Sequence, residues 1–546
     1  MRTRIQPNGF SRRNFLGWLT SGTSFGVATS LIGLPAKAAS GIPESNDLEE
    51  DSSDSSHREN KAYQIRREAA LDQKNAPSPG NLTNGDEGRY SNKIGSYSKT
   101  LPHNALGEVE VSSYVSLVRA LASGEPSDFA AVPMGGTVKQ ANPQAAFAFE
   151  MEGADSHHLG MSAPPAFSSS EEAGEMTEVY WQALTRDIPF NDYDSNSSIA
   201  AAVADLSQFS SFSGINVGSL FRGTTPGDLI GPYISQFLWR NVPYGAMAIT
   251  QTYRVPVVGD DHMTSYNSWL NIQNGVAAIA GNTIDPSVRY IRNGRDLAEY
   301  VHKDFSYQAF LNAALILLSF GGAALDDDNP YKSSINQSGF ATFGGPHVLD
   351  LVAKVANCAL KAAWYQKWSV HRRLRPEAFA GHLHNHKIAA ASYPIHPKVL
   401  NSQAVAEVFS RFGTYLLPMA YPEGAPSHPS YPAGHACIAG ACVTVLKAFF
   451  KESLTIPNSV VATSDGFALA PFVGPGLTVG GELNKLAANI AIGRDTAGVH
   501  WRSDGIEGLN LGEAVAISVL KDFKDCFNES FTGFTLTKFD GDTIVI

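Results

Sequence analysis

Ser427-His-Pro-Ser-Tyr-Pro-Ala-Gly-His435 runs directly into Ala-Cys-Ile-Ala-Gly-Ala-Cys-Val-Thr-Val-Leu-Lys-Ala-Phe-Phe450. Pro429 and Pro432 hold the first part extended, Gly434 lets the backbone approach a ligand closely, and His435 opens an apolar helix. The unpaired amides of a helix's first turn favour negative oxygen, so the junction reads as an anion cradle.

Working outward, apolar residues recur at helical spacing over 199–212, 296–320, 348–372, 402–417, 435–451 and 483–497. Alternating strand patterns are scarce. The expected fold is mainly α, a helix-bundle architecture of two four-helix bundles with long loops and few short strands.

Two further segments bring cations to the same junction. Upstream is Trp364-Tyr-Gln-Lys367-Trp-Ser-Val-His371-Arg-Arg-Leu-Arg375-Pro376-Glu377. Pro376 disfavours helical geometry at Arg375, which frees that guanidinium while Lys367 stays on the helix; read alone, the segment is equally a solvated basic helix end. Downstream is Gly493-Arg494-Asp-Thr-Ala-Gly498-Val-His500-Trp-Arg-Ser-Asp504. On a straight helix Arg494 and His500 would point about 120° apart, so a break at Gly498 is needed to bring them together. If a new helix begins near His500, Asp504 can hold one imidazole nitrogen and leave the other facing the anion. Three cations and three histidines, His428, His435 and His500, suit a tetrahedral oxyanion such as phosphate or vanadate.

Composition sets the frame. The chain has 546 residues, 43% hydrophobic and 17% charged, which describes a globular protein with a large core. A net charge of -11 argues against nucleic-acid binding and confines any anion site to a local cluster. Four cysteines make no disulfide framework; Cys358 and Cys526 read as ordinary buried residues.

Ser11-Arg12-Arg13-Asn14-Phe15-Leu16 resembles a twin-arginine export signal, with Ala36-Lys37-Ala38 as the cleavage site. The expected organisation is a signal peptide over 1–38, a disordered acidic leader over 39–60, an N-terminal wrapping or oligomerisation region over 61–191, and a helical catalytic domain over 192–546. Export implies a periplasmic or extracellular bacterial protein with no membrane association after cleavage.

Two other clusters compete for a metal. His382, His384 and His386 would share one face of a strand and could bind zinc or copper, although histidine-rich surface loops are common. Asp326-Asp-Asp-Asn-Pro330 offers a structural calcium site, against a solvated acidic turn.

Lys…Arg-Pro, then a Gly-His pair, then Arg…Gly-x-His-x-x-x-Asp resembles the signature shared by vanadium-dependent haloperoxidases and the acid phosphatases of the PAP2 superfamily. The resemblance extends from about Ala62 to the C-terminus. Seven residues separate Lys367 from Arg375, and His428 precedes His435 by seven; both resemble the bromoperoxidases of algae and cyanobacteria. The resemblance implies vanadate as cofactor, His500 as its apical ligand, and His435 as acid/base. It implies that Lys367, Arg375, Arg494 and the Gly434 amide bind oxygens, with Lys367 also polarising peroxide. His428 and Trp364 would lie near the halide, and Asp504 and Ala433 behind the site. Hydrogen peroxide, bromide or iodide, and small organic acceptors are the implied partners, with a homo-oligomeric assembly.

One position departs from the pattern: Ala433 stands where the family has serine. A charge-assisted hydrogen bond of the lost kind is worth roughly 1.5–3 kcal/mol, about ten- to a hundredfold in affinity. An acid phosphatase, in which His500 attacks phosphorus, is the alternative reading, and a weakened or non-catalytic relative is the third.

Overall fold

The computed structural model describes residues 52–546. The twin-arginine segment, its cleavage site and the acidic leader as far as residue 51 lie outside them. The chain divides into Met1–Lys61 and Ala62–Ile546. Residues 52–60, assigned above to the disordered leader, are helical and open α1 (Ser52–Asn75). The Ser/Asp run gives way there to Arg, Glu, Lys, Ala and Gln, which favour helix.

In chain order the helices that build or brace the site are α2 (Val111–Ser123), α3 (Ser170–Thr185), α4 (Ser197–Leu206), α5 (Gly294–Lys303), α6 (Gln308–Ser319), α7 (Gly345–Tyr365), α8 (Pro376–Lys387), α9 (Gln403–Phe412), α10 (Gly434–Phe449), α11 (Val479–Thr496) and α12 (Arg502–Lys524). Helix α10 is buried along its length and packs against α7, α11 and α12. Its small residues permit this. A Cβ on Gly440 would lie 2.2 Å from the Leu509 carbonyl oxygen, and one on Gly512 only 2.0 Å from that of Cys437. The α10 and α12 backbones therefore touch directly, with no side chain between them. A second apolar cluster joins α3, α4, α8 and α9 around Trp181, Trp269 and Trp501.

Strands are minor. β1 (Val242–Tyr244) with β2 (Met247–Ile249), β3 (Tyr253–Pro256) with β4 (Ile284–Arg289), β5 (Val460–Ala462) with β6 (Leu469–Pro471), and β7 (Thr535–Thr537) with β8 (Thr543–Val545) form antiparallel pairs. Val242 faces Ile249, and Tyr253 faces Arg289.

The structure departs from the sequence expectations at several places. The pattern over 296–320 is two helices, broken where Asp304 turns extended (φ −63°, ψ 150°). His382, His384 and His386 lie on α8, not on a strand, so a spacing of two spreads them around the helix. His382 packs on Tyr393, His384 Nδ1 accepts from the Tyr415 amide at 3.2 Å, and His386 Nδ1 accepts from that of Tyr393 at 3.1 Å. Asp327 is shared between Lys332 at 2.5 Å and Lys451 at 2.7 Å. Among the described residues no group of three His, Cys, Asp or Glu side chains gathers to hold a metal ion. Cys526 is exposed rather than buried, because it lies just beyond the last turn of α12. Among the described residues no helix is long and apolar enough to cross a membrane.

Candidate active site

The three segments meet at the N-terminus of α10. Helix α7 ends in a π-helical turn, Gln366–His371, that carries Lys367; Arg372 then turns left-handed (φ 42°) and Arg375 is extended before Pro376 opens α8. Helix α11 ends at Thr496, Gly498 takes φ +85°, and α12 starts at Arg502. The break at Gly498 and the release of Arg375 therefore have the backbone form that the sequence required.

His500 is fixed from both sides. Its Nδ1 donates to Asp504 Oδ2 at 2.8 Å, which places the lone pair on Nε2, and Arg375 Nη1 donates to that nitrogen at 2.9 Å. Asp504 also accepts from the Ser430 hydroxyl, from the Trp501 amide at 3.2 Å, and from Arg373 Nη1 at 2.8 Å. Behind it, Arg373 binds Glu172 and, at 3.0 Å, Glu175, both on α3, and stacks over Trp501 at 4.8 Å. Burial alone would weaken the Arg373 charge, but Glu172, Asp504 and Glu175 outweigh it and hold the guanidinium firmly protonated. Burial pushes the Glu172 carboxyl up to about 8 despite Arg373. Burial, then Arg375, Lys367, Arg494 and His435, drive His500 well below the usual imidazole range, so its ring is neutral.

The cations are buried too. Lys367 Nζ donates to the carbonyls of Pro429 (2.9 Å) and Ser430 (2.7 Å). Burial first, and Arg375 next, press its ammonium well below the normal lysine range. Arg375 donates to the carbonyls of His428 and Val499 and, through Nη2, to His428 Nδ1 at 3.0 Å; burial lowers it to about 10. Arg494 donates to the Val301 carbonyl at 2.7 Å and lies over the Tyr421 ring at 5.5 Å. Its Nε is buried with no hydrogen-bond acceptor among the described residues.

His435 differs. Its side chain is 28% exposed, and its Nε2 meets Asp304 Oδ1 at 3.1 Å; the Asp304 carboxyl is only 3% exposed. His428 is buried and its ring lies 4.7 Å from that of Trp364, whose Nε1 donates to the Ala141 carbonyl at 3.1 Å. Burial, with Lys367 and Arg375 beside it, keeps His428 neutral. Ala433 is fully buried at the N-cap of α10, offers no side-chain cap, and donates its amide to the Asp504 carbonyl at 2.9 Å.

This donor set fits a compact oxyanion. Lys367, Arg375 and Arg494 are mutually destabilising buried cations that an anion would relieve. Arg494 Nε is a donor without an acceptor among the described residues, and the His500 Nε2 lone pair is held by Arg375 at the same place. The first-turn amides of α10, beginning at Gly434, add helix-terminal donors.

The 61–191 region braces this structure. Lys99 bonds Glu377 at 2.7 Å and the Ala425 carbonyl at 2.5 Å; the Ala141 amide donates to the Ser427 carbonyl; Tyr431 donates to that of Ser162 at 2.6 Å. The sequence reading missed Arg373, Ser430, Asp304, Glu172 and Glu175. Arg373 sat in plain view two residues before Arg375, in a basic run that resembled a solvated helix end. The glutamates carry no local signal at all, being about 200 positions away.

Comparison with known proteins gives consistent matches. The family described as the VCPO second helical-bundle domain matches residues 349–529, which contain every residue of this site expected from the sequence. A vanadium-dependent bromoperoxidase of Corallina pilulifera is 35% identical over 88% of this chain and 96% of its own length. One of Ascophyllum nodosum is 35% identical over 82% of this chain and 86% of its own. The homohexameric structure of the second vanadate-dependent bromoperoxidase of Ascophyllum nodosum superposes with a TM-score of 0.86 at 31% identity, covering 94% of each chain. These matches favour the bromoperoxidase over the phosphatase reading of the motif set.

Proposed function

The chain belongs to the vanadium-dependent bromoperoxidases, and we propose on that footing that its buried cation cluster holds vanadate and serves the oxidation of bromide, and of iodide, by hydrogen peroxide. The observation that carries this is the neutral His500, whose Nδ1 is committed to Asp504 and whose Nε2 lone pair faces three buried cations. His500 would be the nitrogen ligand, and Lys367, Arg375, Arg494 and the Gly434 amide would hold the oxygens. Vanadium(V), when bound, supplies Lewis acidity that activates peroxide toward attack by halide without a redox change at the metal.

The chain's own groups do the rest. Asp504 fixes the His500 tautomer and keeps it a ligand. Lys367, whose buried ammonium has no carboxylate partner among the described residues, can draw negative charge from the reacting oxygens. His435, in contact with both solvent and Asp304, takes and returns protons as peroxide enters and hypohalous acid leaves. Neutral His428 and the Trp364 indole form the half-apolar wall where a weakly hydrated halide would sit. Small organic acceptors are then halogenated.

Self-association is supported by the hexameric relative and by Phe149 and Met151 of the 61–191 region, which are 81% and 91% exposed. The Ser11–Leu16 segment supports export by the twin-arginine route. The test of function is bromination of monochlorodimedone by the purified chain, with bromide and peroxide, in phosphate-free buffer. Activity that appears on adding orthovanadate and is absent from His500→Ala supports the reading; activity indifferent to vanadate sinks it.

A further inference from the structure

A cavity of about 240 Å³ lies between α11 and α12, lined by Ala488 and Ile492 of the first, Ile506 and Leu509 of the second, and Phe539. It is smaller than the roughly 300–1,000 Å³ of drug-sized sites and suits a guest of few heavy atoms. Each helix adds one charged side chain to the wall: Asp495, next after Arg494, and Arg502, two beyond His500. Arg502 is already engaged. Its Nε donates to Glu178 at 2.8 Å, its Nη2 bonds the same carboxylate, and its Nη1 donates to the Arg222 carbonyl at 3.0 Å. Asp228, also on the wall, is committed through Oδ2, which accepts from the Thr225 amide at 2.9 Å and the Thr225 hydroxyl at 2.6 Å.

Asp495 is 2% exposed, and its carboxyl has neither a hydrogen bond nor an ion pair among the described residues. Its Oδ1 is sealed within the protein; Oδ2 is not, and is the oxygen that a guest in the cavity can reach. A buried carboxyl without a partner is costly, and a donor on the guest would remove that cost. Charge decides which kind of donor. Burial first, and Glu178 next, raise the Asp495 carboxyl well above the usual carboxylate range; Arg502 opposes them, while Asp504 and Glu175 add to the rise. Three carboxylates thus stand against one guanidinium in the field at Asp495, which favours a cation over an anion.

We propose that this cavity binds a small alkylammonium ion, with its charged head on Asp495 and its short apolar tail against Ile492, Ile506 and Leu509. The site contains none of the groups assigned to vanadate and does not depend on the bromoperoxidase reading. On binding, the guest keeps its ammonium protons and Asp495 releases its own to solvent, so that a neutral acid becomes a carboxylate in a charge-assisted hydrogen bond. The guest joins α11 to α12 across the break at Gly498, and it stabilises the fold as any ligand of the native state alone does.

The probe is butylammonium chloride, titrated calorimetrically into the full purified chain at neutral pH, without vanadate, in two buffers of different ionisation enthalpy. The expected result is saturable one-to-one binding whose apparent heat differs between the buffers, which reports proton release, together with a higher unfolding temperature. Asp495→Asn keeps the shape and removes the acid; it should weaken binding at least about tenfold, the worth of one charge-assisted hydrogen bond, and abolish the buffer dependence. Ile506→Trp fills the cavity from its half-exposed edge, leaves the carboxyl untouched and should weaken binding comparably, so the proposal stays testable even if Asp495→Asn does not fold. No saturable binding, binding indifferent to both substitutions, or equal binding of uncharged butanol overturns the proposal.

Discussion

His500 and His435 approach the proposed anion site from two regions of very different construction. His500 is buried and sits at the end of a hydrogen-bonded chain, Asp504 to Arg373 to Glu172 and Glu175, that ties α12 to α3. His435 is 28% exposed and has one side-chain partner among the described residues, Asp304. The first imidazole has its tautomer fixed and its proton affinity suppressed, which is what a metal ligand needs. The second remains open to solvent and to a carboxylate, which is what a proton carrier needs. Two histidines of identical chemistry are thus suited to the separate tasks proposed for them through burial and partners alone.

Cutting the rigid side should have the larger consequence. Asp504→Asn removes the charge that fixes His500, Ser430 and Arg373 together, and vanadate affinity should fall about 10–100-fold, the usual cost of losing the partner of a metal-bound histidine. Equilibrium dialysis with vanadium analysis measures this; an affinity within twofold of wild type would show that the charge chain does not prepare His500. Ala433→Ser tests the junction between the two sides. Restoring one hydroxyl donor should tighten vanadate binding about tenfold, from roughly 1.5 kcal/mol of charge-assisted hydrogen bonding. No gain would mean that the surrounding donors already saturate the anion.

The smallest effect concerns pH. Glu172 titrates at about 8 in the fold against an ordinary value of 4.5, so between those values the folded protein holds a proton that the unfolded chain releases. Stability must then fall as pH rises toward 8. His500 acts in the opposite sense: its folded value is depressed, so its contribution is lost as pH falls below 6.5. Urea unfolding between pH 6.5 and 8 should show a downward slope that Glu172→Gln flattens. An unchanged slope would place the titration elsewhere.

The sequence carried the local parts of both halves better than the partners that reach them from a distance. Proline and glycine disclosed the backbone breaks at Arg375, Gly434 and Gly498, and with them the convergence of Lys367, Arg375, Arg494, His435 and His500. Asp504 was legible because its partner lies four residues away. Glu172 and Glu175 were not, since an ion pair across about 200 positions leaves no periodic trace. Asp304 was hidden by a helical pattern that ran through the break it creates, because the apolar spacing of α6 continues that of α5. The histidines of α8 misled for a related reason: alternation suggested a strand, while Pro376 at the first position and the packing of Phe379 and Leu383 made a helix.

The central claim, that one histidine holds the anion and the other moves protons, is tested most directly by measuring vanadate bound and bromide turnover together in His500→Ala and His435→Ala. The account predicts that His500→Ala loses bound vanadate and turnover alike, and that His435→Ala retains vanadate while turnover drops by about 10²–10⁴. Equal loss of vanadate in both variants, or normal vanadate binding by His500→Ala, would contradict it.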